Sequence, residues 1–212
     1  MSRARSYAIT AAALLAMGGA MAHAEQKPAV KDIVIVHGAL VDASGWRAVH
    51  DILSKDGFHV TIVQEPLTSL AEDIAATKRA IDQQTGAVVL VGHSYGGSVI
   101  TDAGADPKVK TLVYVAALQP DAGEASGQLL SKFAAPNDAM RAAANRANPD
   151  KYLFLPAAKF RETFAADVPA PDAQFLADSQ QQLAEKALGG ESLWRHGEPS
   201  QATPSWPPRI MS

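Results

Sequence analysis

The run Ala87-Val88-Val89-Leu90-Val91 leads without a break into Gly92-His93-Ser94-Tyr95-Gly96, and this junction constrains the fold more than any other stretch of the chain. A short apolar run bounded by turn residues predicts a buried strand. After the motif, Gly97-Ser98-Val99-Ile100-Thr101-Asp102-Ala103 continues as a helix. Strand, Gly-x-Ser-x-Gly and helix, in that order, is the arrangement of a nucleophile elbow, in which a tight turn projects the serine hydroxyl away from the backbone. Gly92 and Gly96 remove Cβ atoms that would collide in so sharp a bend. Amides at the new helix N-terminus then face any developing negative charge. The competing reading is a glycine-rich turn that merely joins two elements; the strand before and the helix after favour the elbow.

The same alternation runs through the first half of the chain. Ile33-Val34-Ile35-Val36 is a continuous β-branched run, the sign of a strand covered on both faces. Residues 44–56 predict a helix with Trp46, Val49 and Leu53 at helical spacing and Gly57 as its stop. His59 to Val63 predicts a second strand. Ser69-Leu70-Ala71-Glu72 is a capping box, opening a helix with Leu70, Ile74 and Ile81 on its apolar face and Gly86 at its end. Val109 to Val115 predicts a fourth strand. Strands alternating with helices mean an α/β fold, a parallel sheet covered on both faces. Right-handed crossovers bring the strand C-terminal ends to one edge, where ligands bind in open sheets. Ser94 and the His37-Gly38-Ala39 turn both fall there.

Beyond Pro120 the texture changes. Residues 126–188 are rich in Ala, Gln, Asp and Lys without a strand-like run, and predict short helices broken at Pro136, Pro149, Pro156, Pro169 and Pro171. Such an insertion is either a lid over the site or a helical extension packed elsewhere.

Composition narrows the classes. A chain of 212 residues supports one domain with a real core, and a net charge of -3 without basic runs speaks against a nucleic-acid partner. With no cysteine there are no disulfides, no thiol nucleophile and no Cys-based metal site. His37, His50 and His59 lack the paired spacing of a zinc-binding helix, and no organic cofactor is implied. At the N-terminus, Arg3 and Arg5 precede an apolar stretch from Ala8 to Ala22, and Ala22-His23-Ala24 fits the small-x-small cleavage rule. The expectation is a signal peptide over residues 1–24, cut after Ala24, and export to the periplasm or beyond with no membrane association afterwards. The alternative is an N-terminal helix kept in the mature protein. Oligomeric state is left open by the sequence.

Three blocks carry a family resemblance: Ile33-Val34-Ile35-Val36-His37-Gly38-Ala39 with Gly45-Trp46; Gly92-His93-Ser94-Tyr95-Gly96-Gly97; and Val113-Tyr114-Val115-Ala116-Ala117 followed by Pro120-Asp121-Ala122-Gly123-Glu124. Together they resemble the α/β-hydrolase superfamily, and within it the small esterases akin to methylesterases and hydroxynitrile lyases. The resemblance runs from about Val30 to Trp206. It implies an α/β-hydrolase domain over residues 25–206, Ser94 as nucleophile, and the backbone amides of Ala39 and Tyr95 as oxyanion hole. It also implies that His37 shapes the loop and that His93 is a packed residue inside the elbow.

In this superfamily the triad order is Ser, then Asp or Glu, then His. The tail after Trp206, Pro207-Pro208-Arg209-Ile210-Met211-Ser212, does not read as a strand, because two prolines remove ladder donors. The resemblance therefore breaks off over residues 207–212, and the fold is expected to lack its last strands together with the usual acid and base. His196 is the one histidine after Ser94, and Asp121 follows the fourth strand; these are the low-ranking substitutes. The implied function is hydrolysis of a small-molecule carboxylic ester through a Ser94 acyl-enzyme. The alternatives are a non-catalytic truncated hydrolase, and a lyase or haloperoxidase on the same fold.

Overall fold

The computed structural model describes residues 30–133 and 152–193. The expected signal segment, His196, the stretch to Trp206, the 207–212 tail, Pro136 and Pro149 lie outside the described residues. The core is one parallel sheet of four strands in the order β2-β1-β3-β4: β1 Asp32–Val36, β2 His59–Val63, β3 Val88–His93 and β4 Val109–Val115. Each pair is parallel, so all four C-terminal ends open on one edge.

A 3₁₀ turn over Ala43–Trp46 runs into helix α1, Arg47–Lys55, and Gly57 follows at φ +85. Helix α2 spans Leu70–Asp82, and its N-cap Ser69 accepts from Glu72 N–H, as the capping box predicts. The helix ends at Asp82, ahead of Gly86, and Lys108 Nζ donates to the carbonyls of Ile81, Asp82 and Gln84 at that end. A cation there offsets the helix dipole. The buried face of α2 is also rotated from expectation. Leu70, Asp73, Ala76, Thr77, Ala80 and Ile81 are buried, while Ile74 is only partly covered.

Helix α3, Gly96–Ala103, is buried along its whole length. It lies with α2 on one face of the sheet, against Leu90, Leu112 and Tyr114, whose hydroxyl shares a hydrogen bond with Thr101. The cluster that includes Val34, Val36, Leu90, Val99 and Ile100 is fully buried, each side chain contributing roughly 1.5–3 kcal/mol. Among the described residues, helix α1 is the helix on the opposite face. There Val89, Val91 and Val113 are half-buried, Val115 is 36% exposed, and Val49 and Ile52 of α1 are 38% and 61% exposed. Helices flank the sheet as the α/β reading expects; among the described residues the coverage is complete at β1 and partial on this face of β3 and β4. Among the described residues no strand pairs with the outer edge of β4.

After β4, helix α4 spans Ser126–Phe133. The region read as purely helical contains two strands, β5 Tyr152–Leu153 and β6 Leu183–Ala184, paired antiparallel. Two-residue strands have no periodicity to read. Between them lie α5, Ala157–Phe164, and α6, Ala170–Asp178, followed by α7, Glu185–Leu188. Pro156 and Pro169 stand at the N-caps of α5 and α6, and Pro171 sits in the first turn of α6. They start these helices rather than break them, because the first-turn N–H groups need no intrahelical acceptor. Phe160 is fully buried and meets Phe164 at 5.1 Å between centroids. The subdomain docks beside the strand ends through Ala184 N–H to Leu67 O at 2.9 Å and Gln181 Nε2 to Glu65 O at 2.7 Å.

Candidate active site

Ser94 sits between β3 and α3 with φ +50, a left-handed backbone that a non-glycine residue adopts at a cost of about 1–2 kcal/mol. The turn is held from both sides. Ser94 O accepts from Gly97 N–H at 3.0 Å and from Leu118 N–H at 2.9 Å. Gly92 and Gly96 face each other so closely that a Cβ on Gly92 would lie 2.6 Å from Gly96 O. The Gly96 backbone in turn lies against the carbonyls of Val36 and His37 at the end of β1. The elbow glycines are thus required by backbone-to-backbone approach.

The His37-Gly38-Ala39 turn abuts the serine. Neither Ala39 N–H nor Tyr95 N–H donates to another described residue, and both flank the Ser94 turn. Leu40, next in the turn, has φ +65. His37 is fully buried. Its Nε2 accepts from Glu65 N–H at 3.2 Å, which leaves the ring proton on Nδ1 to donate to Gly38 O at 2.8 Å. Burial pushes the His37 pKa down, against the Gly38 hydrogen bond, and favours the neutral ring. With both ring nitrogens engaged, His37 braces the loop.

His93 is half-buried, meets the edge of the Trp46 ring at 6.2 Å between centroids, and has its pKa lowered by burial. Asp121 is exposed in the turn after β4, where its N–H donates to Glu124 Oε2. Among the described residues no side chain hydrogen-bonds the Ser94 hydroxyl, and no group of three or more His, Asp and Glu is placed to hold a metal ion. His50 and His59 are exposed, paired with Asp51 and Asp32 respectively.

Behind the serine lies a buried polar cluster that the sequence reading did not single out. Asp73 accepts from Tyr95 O–H at 2.7 Å and from Leu67 N–H at 2.8 Å. Burial raises its carboxyl to about 6, with those two hydrogen bonds pulling the other way. Glu65 is pushed well above the usual range, first by burial and then by Asp73, and neither carboxyl oxygen has a hydrogen-bond partner among the described residues. Tyr95 is 1% exposed and its phenol is raised, by burial first and then by Asp73. A signal was present in the sequence: Asp73 lies three residues from Leu70, on the face that α2 buries.

Residues 33–209 match the alpha/beta hydrolase family. The chain belongs to that family. This hydrolase-family chain is 33% identical over 120 residues to the carbendazim hydrolyzing esterase of Nocardioides sp. (strain SG-4G), covering 50% of this chain and 49% of that one. It is 28% identical over 133 residues to putative methylesterase 11, chloroplastic, of Arabidopsis thaliana, covering 52% of this chain and 32% of that one. The chain therefore spans about half the length of the first relative and about a third of the second. In structure it resembles a variant of polyneuridine aldehyde esterase with a TM-score of 0.65 and 19% identity, over 79% of this chain and 76% of that one. That likeness shows the α/β-hydrolase fold.

Proposed function

We propose that this chain is a serine hydrolase that cleaves small carboxylic esters through an acyl-enzyme on Ser94. The observation that carries the reading is the left-handed serine at the β3–α3 turn, flanked by the unengaged amides of Tyr95 and Ala39. In this reading Ser94 Oγ attacks the ester carbonyl carbon and gives up its proton to a base. The carbonyl electrons move onto oxygen, which the two amides receive; one such donor is worth about 3–4 kcal/mol of barrier. The intermediate collapses as the alcohol leaves with a proton. Water then attacks the acyl group by the same route and frees the acid and Ser94.

The reaction needs a base, since a serine hydroxyl is a poor nucleophile until its proton is removed. His196 is the histidine that follows Ser94 in sequence, in the family's order, and is the residue to test for that role. Residues 1–24 carry the pattern of an export signal, which puts the reaction outside the cytoplasm; N-terminal sequencing of the protein from its native host tests this.

A second reading is favoured by one observation: no described side chain reaches the Ser94 hydroxyl. On that reading the chain binds an ester and leaves it intact. Hydrolysis of p-nitrophenyl acetate by wild type, Ser94→Ala and His196→Ala separates the two. Turnover lost in both variants establishes the acyl-transfer reading with His196 as base. Folded, monodisperse wild type without turnover leaves binding alone.

A further inference from the structure

Asp73 is a fully buried acid that the proposed reaction does not use directly. It stands in the first turn of α2, and each carboxylate oxygen is engaged by a group that matters to the site. Oδ2 accepts from the phenol of Tyr95, the residue whose N–H stands beside Ser94. Oδ1 accepts from the N–H of Leu67, a buried leucine at φ +54. Left-handed backbone at a bulky residue persists only where its surroundings over-determine it. The phenol of Tyr95 is buried and reaches Asp73 on α2. It forms an arm by which α2 holds the Ser94–Tyr95 peptide.

A buried acid and phenol form an expensive way to fill this space. An apolar pair of similar volume commonly stabilises a core as well or better. What a hydrogen-bonded pair adds is direction: at 2.7 Å the Tyr95 ring has one orientation relative to α2. The other oxyanion donor is braced from the same stretch of chain. Glu65 N–H holds His37 Nε2, and His37 Nδ1–H holds Gly38 O, one peptide before Ala39.

We infer that Asp73 is a positioning residue for the oxyanion hole: by clamping the Tyr95 phenol and the Leu67 amide, its carboxylate fixes the peptide whose N–H receives the oxyanion. The inference rests on the acyl-transfer reading of Ser94. The ionisable groups facing Asp73 are Tyr95 from the elbow, Glu65 from the segment after β2, and Glu72 on its own helix. Protonation of Asp73 near pH 6 weakens the clamp by removing the charge from the acceptor.

The test has one arm that needs no catalysis. In amide NMR of the full chain, the Tyr95 N–H resonance is expected to titrate with a midpoint near 6. That titration should be lost in Asp73→Asn, and strongly reduced at residue 95 in Tyr95→Phe, where the phenol no longer links acid to peptide. A Tyr95 signal that does not titrate in wild type overturns the proposal. So does a titration unchanged in Tyr95→Phe, because the coupling would then not run through the phenol.

The second arm is the labelling rate of Ser94 by a fluorophosphonate. A misplaced oxyanion donor is expected to slow it by about 10–100-fold in either variant, with no further loss in the double variant. Unchanged labelling in both single variants overturns the proposal. Wild type that resists labelling sinks the acyl-transfer reading alone, and the NMR arm still decides whether Asp73 positions Tyr95.

Discussion

Gly38 presses against Ser94: a Cβ built on Gly38 would lie 3.0 Å from the Ser94 Cβ and 2.9 Å from His93 Nδ1. The space beside Gly38 is therefore already filled, by the His93 ring, the Ser94 Cβ and the His93 carbonyl. Gly38→Ala must push the Ala39 amide away from the serine or tilt the His93 ring. The expected outcome is a folded protein whose ester turnover falls by about 10²–10³, the usual loss of one oxyanion donor. Circular dichroism and turnover measured on the same sample check it, and full turnover in the folded variant would mean Ala39 N–H plays no part.

The left-handed serine predicts a gain in stability on removing the side chain that reacts. Ser94→Gly relieves the φ +50 strain and Ser94→Ala does not. Ser94→Gly is expected to be about 1 kcal/mol more stable than Ser94→Ala by urea denaturation, while neither variant is labelled by a fluorophosphonate. Equal stability of the two variants would place no strain at the turn.

Asp73 sets a pH dependence of stability with a definite sign. An ordinary aspartate titrates near 3.8 and the folded Asp73 at about 6, so between these values the folded chain keeps a proton that the unfolded chain has released. This contribution to stability is fully present below 3.8 and is lost as pH rises through 6. Glu65, also raised, acts with the same sign. His37 and His93, lowered from 6.5, act with the opposite sign, and their contribution is lost as pH falls below 6.5. The difference between Asp73→Asn and wild type isolates the acid. The variant should gain on wild type as pH is raised from about 4 to about 6 and hold a constant difference above that. A difference that is flat over this range would place the Asp73 pKa at its unfolded value.

The partly exposed apolar residues of α1 make a prediction about solution behaviour. Ile52 projects from α1 at 61% exposure beside Val49, on the side where β3 and β4 are half-covered. Ile52→Lys should change stability by no more than about 0.5 kcal/mol, as expected for an exposed site. It should also reduce concentration-dependent association in analytical ultracentrifugation. A loss of several kcal/mol would mean that Ile52 is covered in solution.

The strands were legible because their signal is local. His59–Val63 and Val109–Val115 fall on stretches rich in β-branched residues, and Ser69 caps α2 as its spacing to Glu72 requires. The elbow was legible for the same reason. What escaped was set by distant partners. Spacing from Leu70 places Asp73 on the buried face, but its partner Tyr95 lies 22 positions away and only the fold brings the two together. Apolar spacing alone points the buried face of α2 through Ile74, whereas the structure turns it toward Asp73 and Thr77. Glu65 gives no sign in sequence that its N–H orders His37 across the β1–β2 pair. The apolar spacing of Trp46, Val49 and Leu53 predicted a helix and found one, but spacing carries no information on what covers it.

Among the described residues, the strands and backbone hydrogen bonds that hold the Ser94 turn belong to residues 32–118, whereas the segment docked on Glu65 and Leu67 through Gln181 and Ala184 belongs to residues 152–188. Synthesis therefore delivers the serine turn before the segment that docks beside it. A chain emerging from a ribosome has the whole four-stranded sheet in hand some tens of residues before Gln181 and Ala184 can reach their carbonyls. In refolding followed by pulsed hydrogen exchange, the amides of β1 to β4 should gain protection ahead of Ala184, so that the elbow is framed while its later neighbour is still unfastened.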